Sequence, residues 1–372
     1  MKFVRRNSLV IILLTGLLLC QRGAAGAQMQ QTDDYSHMAI DEIGGSAGEP
    51  ADVQMARAIA AGPRHVADAA RIVGADAQGN RVVLREGSNG FTCQPGNPPS
   101  LPFPASGGGK GGGRPASCSN EAARQWIADM AAHKAKPTNA EPGIIYMLAD
   151  ATQRSSSDPS DKTSPPVTIG PHWMIMWPFD PKTTGLSATR KDTGAYIMGA
   201  GTPYAHLHIM GQPAGTPMEH VAGHMQDDGS GPGPVESPEI QMARAIAAGP
   251  KEITAQARIM GNDAEGKRIV LREGNNDFIC QPGKPQFVAQ PASCYTTNSK
   301  PRITYMLAGA TQRSISDPDD KTSTPLAIGP HWMIMMPFDP KTTGLPVTYS
   351  DTGVYIMWAG TRSAHLHIMG RP

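Results

Sequence analysis

Gly170-Pro-His172-Trp-Met-Ile-Met-Trp-Pro-Phe-Asp180-Pro-Lys-Thr-Thr-Gly-Leu186 returns, with one change, as Gly329-Pro-His331-Trp-Met-Ile-Met-Met-Pro-Phe-Asp339-Pro-Lys-Thr-Thr-Gly-Leu345. A second fragment follows each: Ala205-His206-Leu-His208-Ile-Met210 and Ala364-His365-Leu-His367-Ile-Met369. From Tyr146 and Tyr305 onward the two copies align without gaps, identical at about three positions in four. The chain is therefore a tandem duplication of one long unit, not a solenoid of short ones. Within each unit the apolar runs at 144–148, 172–177, 195–200 and 206–210 are of strand length. The segments between them are rich in Pro, Gly, Ser, Thr and Asp, with few candidates for crossover helices. Antiparallel pairing follows, and with it an α+β fold of two homologous modules, each a mainly antiparallel sheet with one or two short helices.

Working outward, Gln54-Met-Ala-Arg-Ala-Ile-Ala-Ala-Gly-Pro63 recurs letter for letter at Gln241–Pro250. Its apolar positions Met55, Ala58, Ile59 and Ala61 suit one face of a short helix that Gly62-Pro63 stops. Arg71–Arg85 and Arg258–Arg272 read as hairpins, turning at Asp76-Ala-Gln-Gly79 and Asp263-Ala-Glu-Gly266. The first copy alone inserts a glycine run at 106–113 and a helical pattern at 121–134 carrying Trp126, Ile127 and Met130. Because the second copy lacks that helix, it is expected to be peripheral in the first. The expected layout is a signal peptide at 1–27, a polar leader at 28–50, a first module at 51–213, a Gly/Pro-rich linker at 214–237 and a second module at 238–372.

The N-terminus has the form of a secretory signal: Lys2, Arg5 and Arg6, an apolar run from Leu9 to Leu19, and small residues ending Ala25-Gly26-Ala27. Cleavage is expected before Gln28, giving a periplasmic or extracellular protein. Lipid attachment at Cys20 is disfavoured by Leu19, which stands where a small residue is normal. The apolar run is short for a bilayer span, and no other stretch approaches spanning length. With the signal's four cations removed, 29 basic and 32 acidic residues remain, a net charge of −3. Such a balance offers no basic field for nucleic acid or an anionic membrane. Export also sets the cysteine reading. Cys93 and Cys280 sit in matching Phe-x-Cys-Gln-Pro-Gly contexts, and Cys118 and Cys294 in matching Pro-Ala-Ser-Cys contexts. One disulfide per copy, Cys93–Cys118 and Cys280–Cys294, is expected in an oxidising compartment. Thiolate metal ligation, the competing reading, lacks a Cys-x-x-Cys pair.

Together, Leu84-Arg85-Glu86-Gly87, Phe91-Thr-Cys93, Tyr146-Met-Leu148, Gly170-Pro-His172 and Gly201-Thr-Pro-Tyr-Ala-His206 resemble the motifs of an uncharacterised family of exported bacterial proteins. The second copy matches at Leu271-Arg-Glu-Gly274, Tyr305-Met-Leu307 and Gly329-Pro-His331 but closes with Gly360-Thr-Arg-Ser-Ala-His365. The resemblance spans nearly all of the chain after the signal and implies export without implying an activity. His208 and His367 depart from it, since the family pattern has an apolar residue there, often Met.

The two repeated fragments hold six of the eleven histidines. Side chains at i, i+2 and i+4 of a strand share a face. His172, Met174 and Met176 therefore point one way, and His206, His208 and Met210 share a face of their strand. In the second copy the corresponding residues are His331, Met333 and Met335, then His365, His367 and Met369. If the strands are neighbours, imidazoles and thioethers converge, a donor set suited to copper or zinc, with thioether sulfur selecting Cu(I). The competing reading is a core in which Met fills space and the histidines make structural hydrogen bonds. His220 and His224 in the linker offer a further pair at helical spacing, interrupted by Gly223. Asp158/Asp161 and Asp317/Asp320 lack the spacing of a calcium loop and read as solvated turns. No nucleophile elbow, His-Glu-x-x-His helix or phosphate-binding glycine loop is present. A cupin is excluded because Ile209-Met-Gly-Gln212 supplies no glutamate. The expected function is thus a non-enzymatic binding protein, with a soft metal as one candidate ligand. The alternatives are a hydrolase using His172 and His206, or a module binding a protein, glycan or small molecule through its Trp-rich strands.

Overall fold

The computed structural model describes residues 48–96, 115–149, 151–153, 167–190, 194–211, 213, 236–284, 290–350 and 353–372. The signal segment, most of the leader and linker, the glycine run, His220/His224 and Asp158/Asp161 lie outside the described residues. In the first module the order is α1 (Ala51–Ala60), α2 (Arg64–Ala67), β1 (Arg71–Ala75), β2 (Arg81–Arg85), β3 (Thr92–Gln94), β4 (Ser117–Ser119) and α3 (Glu121–Ala131). There follow β5 (Gly143–Met147), β6 (Ala151–Gln153), β7 (Val167–Ile169), β8 (His172–Met176), α4 (Pro181–Thr184), β9 (Ala195–Met198) and β10 (His206–Met210). The second module gives α5 (Pro238–Ala247), α6 (Lys251–Thr254), β11 (Arg258–Asn262), β12 (Arg268–Arg272), β13 (Phe278–Gln281), β14 (Ser293–Thr296) and β15 (Arg302–Met306). It ends with β16 (Ala310–Gln312), β17 (Leu326–Ile328), β18 (His331–Met335), α7 (Pro340–Thr343), β19 (Val354–Met357) and β20 (His365–Met369).

Each module folds one eight-stranded sheet, in the order β2-β1-β3-β4-β5-β8-β10-β9 and its counterpart β12-β11-β13-β14-β15-β18-β20-β19. Neighbours are antiparallel except β1 with β3 and β11 with β13. The expected disulfides are formed, each between directly opposed residues of adjacent strands. Among the described residues no helix is long and apolar enough to cross a membrane.

α1 ends at Ala60, and Pro63 then opens the single turn of α2 rather than ending all helical structure. Its most buried residues include one that apolar periodicity misses, Gln54. The Gln54 amide donates to the Ala75 carbonyl (2.9 Å) and accepts from the Ala75 N–H (2.8 Å), so the buried side chain imitates a strand partner. Gln241 does the same at Asn262. Just ahead of each helix, Glu49 pairs with Arg57 and Glu236 with Arg244.

One face of each sheet buries Trp173, Ile175, Leu207 and Ile197, or Trp332, Ile334, Leu366 and Ile356, in a single core that runs through both modules. The turn Pro-Lys-Thr-Thr-Gly locks them reciprocally. Tyr305 Oη donates to Thr184 O and Tyr146 Oη to Thr343 O, each at 3.0 Å. Gly185 and Gly344, both at positive φ, sit against Ile253 and Phe278, and against Val66 and Phe91, where an added Cβ would collide. His65 Nε2 donates to Gly344 O (2.8 Å) and Asn120 Nδ2 to Thr342 O (3.0 Å). The Val354 N–H reaches across to Pro213 O at 2.7 Å.

Candidate functional site

The opposite face of each sheet carries the histidines and methionines, as the alternation predicts. β10 lies between β8 and β9, placing His208 opposite Met174 and Tyr196, His206 opposite Met198, and Met210 opposite His172. In the second module His367 faces Met333 and Tyr355, His365 faces Met357, and His331 faces Met369. All six imidazoles are buried, as are Met174 and Met333, whereas Met210 and Met369 are half-buried.

The hydrogen bonds define the state of each ring. His206 Nδ1 lies 2.9 Å from Tyr204 O, and a carbonyl only accepts, so Nδ1 carries the proton and the neutral ring's Nε2 is bare. His208 Nε2, 3.1 Å from that bare nitrogen, must donate to it. His208 Nδ1 is then left to accept from Tyr196 Oη at 3.1 Å. A chain of one polarity results, from the tyrosine hydroxyl through two neutral imidazoles to a backbone carbonyl. The second module repeats it from Tyr355 Oη (3.0 Å) through His367 and His365 (Nε2 to Nε2, 2.9 Å) to Ser363 O (2.7 Å). The third histidine stacks on the ring that bonds to the tyrosine. His172 stacks on His208 with centroids 5.4 Å apart and planes 11° from parallel, its Nδ1 donating to Gly170 O. His331 stacks likewise on His367 at 4.9 Å. His331 Nδ1 donates to Gly329 O, and its buried Nε2 has no hydrogen-bond partner.

Burial disfavours charge on these rings. It pushes His206 and His331 down to about 4, the Tyr204 and Gly329 carbonyls opposing it in part. His208 and His367 lie well below the ordinary value through burial first and their neighbouring imidazoles second. His365 is lowered by burial as well.

The cover over the two sites differs, and α3 is not peripheral. Ala123, Trp126, Ile127 and Met130 pack on Ile145, Met174 and Met176. Asn120 caps the helix by accepting from Ala123 N, and Asp129, held down at about 2 mainly by Lys134 and Thr138 against the opposing cost of burial, fastens its far end. Gly143 permits this approach, since a Cβ there would stand 2.5 Å from Ala123 Cα. In the second module Arg302 occupies the Gly143 position, and no such helix follows β14. Instead Trp358, at the position of Gly199, sits edge-on to His365 at 5.1 Å, where Trp126 sits edge-on to His206 at 6.5 Å. Trp358 Nε1 donates to Ser314 O. The two modules therefore meet the same need with tryptophans from unrelated places in the sequence.

Tyr196 and Tyr355 were not among the residues read from sequence as site candidates. Their place in the strand alternation was the available signal, but only the pairing of β9 with β10 shows that they face the histidines. Asp317 and Asp320 accept from backbone N–H groups of their own exposed turn, as a solvated turn requires. Among the described residues no group of three or more His, Cys, Asp or Glu side chains is arranged to hold a metal ion. Each site thus belongs to a definable class: a buried imidazole pair on an antiparallel sheet, anchored at both ends and flanked by thioethers. Comparison with protein-family profiles, curated proteins and solved structures gave no match.

Proposed function

We propose that the protein is an exported, non-enzymatic binding protein that holds a soft metal ion, Cu(I), at the imidazole pair of each module. The observation that carries this reading is the approach of two Nε2 atoms, 3.1 Å apart in one module and 2.9 Å in the other. Two nitrogens bound to one ion at about 2.0–2.1 Å, at a near-tetrahedral angle, stand roughly 3.3 Å apart, within a few tenths of an ångström of this spacing. His206 and His365 present Nε2 because Nδ1 is tied to a backbone carbonyl, the outer arrangement typical of metal-ligating histidine. His208 and His367 would release Nε2 by moving the proton to Nδ1, with the tyrosine oxygen becoming its acceptor. Met174 and Met333, directly across the ladder, offer the thioether that favours Cu(I) over zinc, which prefers four closed ligands. A hydrolase using His172 and His206 would need a nucleophile, and the groups described around these rings are imidazole, phenol, indole and thioether. Export is supported by the signal-like N-terminus, the two disulfides and the motif resemblance.

The test is titration of the purified protein with Cu(I) against a chromophoric competitor. Two ions per chain are expected, one lost in His208→Ala and both in His208→Ala/His367→Ala. Wild-type binding no greater than that of the double variant would refute the assignment.

A further inference from the structure

We infer that the two sites exchange their ligand through different routes: the second module's site, capped by Trp358 over His365, is accessible along β18, with Met335 as its outer contact. This rests on the soft-metal reading above. Met176 and Met335 are equivalent residues at the ends of β8 and β18. Met176 is fully buried under α3, whereas Met335 is 38 % exposed. Along β18, Met335 and Met333 share a face, and Met333 lies opposite His367. A line of soft donors therefore leads from the surface to the imidazole pair: exposed thioether, buried thioether, then nitrogen. In the first module the same line from Met176 through Met174 to His208 is sealed by Trp126, Ile127 and Met130. Tyr204 adds a further bar, stacking edge-on against Trp126 at 5.5 Å and donating from its hydroxyl to Lys134 O; the second module has Ser363 there. The cause is local. Gly143 admits the helix, and Arg302 fills the corresponding place in the second module. Exchange in the first module must then wait for α3 to open, a local unfolding step with its own free-energy cost.

Ag(I), a redox-inert stand-in for Cu(I), serves as the probe, with NMR of methyl-13C-methionine in the whole protein. The first equivalent should shift the methyl signals of Met333 and Met335 at once, and those of Met174 and Met176 should follow at least about tenfold more slowly, as gating by helix opening requires. Met335→Leu, a surface change, should slow the early phase and leave the late one. Simultaneous loading of both modules, or earlier loading of the first, would overturn this inference while leaving the metal assignment standing. Failure of Ag(I) to shift any of these methyls would overturn both.

Discussion

Buried neutral imidazoles make the metal-free protein sensitive to mild acid. In the unfolded chain a histidine titrates near 6.5, whereas His206 and His331 in the fold titrate at about 4. Between these values the unfolded state binds protons that the folded state refuses, so stability falls as pH falls. The contribution is complete above 6.5 and is lost as pH drops toward 4. Each unit of separation is worth about 1.4 kcal/mol, so at pH 5 each of these two residues has withdrawn about 2 kcal/mol, or roughly 4 kcal/mol together. His208, His365 and His367 are shifted the same way and add to it. Against a typical total of about 5–15 kcal/mol this is a large share. Asp129, which titrates at about 2, and Asp76, also lowered, chiefly by hydrogen bonds from Asn80, act below this window. The assay is urea unfolding of metal-free protein at pH 7.5, 6.5, 5.5 and 5.0, followed by tryptophan fluorescence and far-UV circular dichroism. Replacing His206 and His365 with Asn, whose amide still donates to the carbonyl, should flatten the slope. A loss below about 1 kcal/mol between pH 7.5 and 5.0 would refute the argument that burial holds these rings neutral.

Three further outcomes are expected. Tyr146→Phe and Tyr305→Phe each remove one bond between the modules and leave a buried carbonyl unpaired, costing about 1–3 kcal/mol in chemical denaturation; an unchanged midpoint would show that these bonds do not hold the modules together. Gly185→Ala drives a methyl into Ile253 Cδ1 at φ +69°, and should cost about 2–4 kcal/mol from left-handed backbone and overpacking combined, read as a lowered midpoint. Cys280→Ser/Cys294→Ser opens a cross-strand link 14 residues apart in sequence and should cost about 2–5 kcal/mol, with reductant reproducing the loss in the wild type.

The strands were legible because their alternation is strict. Alternation separates His172 and Met174 from Trp173 and Ile175 on one strand, and His208 from Leu207 on the other, and only the ladder shows that the two histidine-bearing faces coincide. The disulfides were legible because duplication puts each cysteine in the same phrase twice. The reciprocal lock was not. Nothing local in Pro-Lys-Thr-Thr-Gly marks it as a tenon for the other module, since its partner tyrosine lies more than a hundred residues away. The short strands β3 and β4 were also hidden, because three residues carry too little periodicity to read. Absence of a helix in one copy proved a poor guide to its importance in the other. It would be a good one only if the two copies were covered in the same way.

They are not, and the reason lies at two positions. Gly143 lets α3 press its backbone onto the sheet, and with Trp126 over His206 there is no call for bulk at Gly199. Once Arg302 stands in the Gly143 position the helix cannot approach, and His365 needs another lid. Trp358 provides it from the strand end, although φ +55° places a bulky L-residue in left-handed backbone at a cost of about 1–2 kcal/mol. A strained tryptophan kept over a histidine, opposite an unstrained one reached from a helix, argues that an aromatic cover on this imidazole is a requirement of the site and not an accident of packing. Because the opposite face of both sheets forms one shared core, each cover could change without disturbing the scaffold. The same arrangement leaves two matching imidazole pairs under different covers.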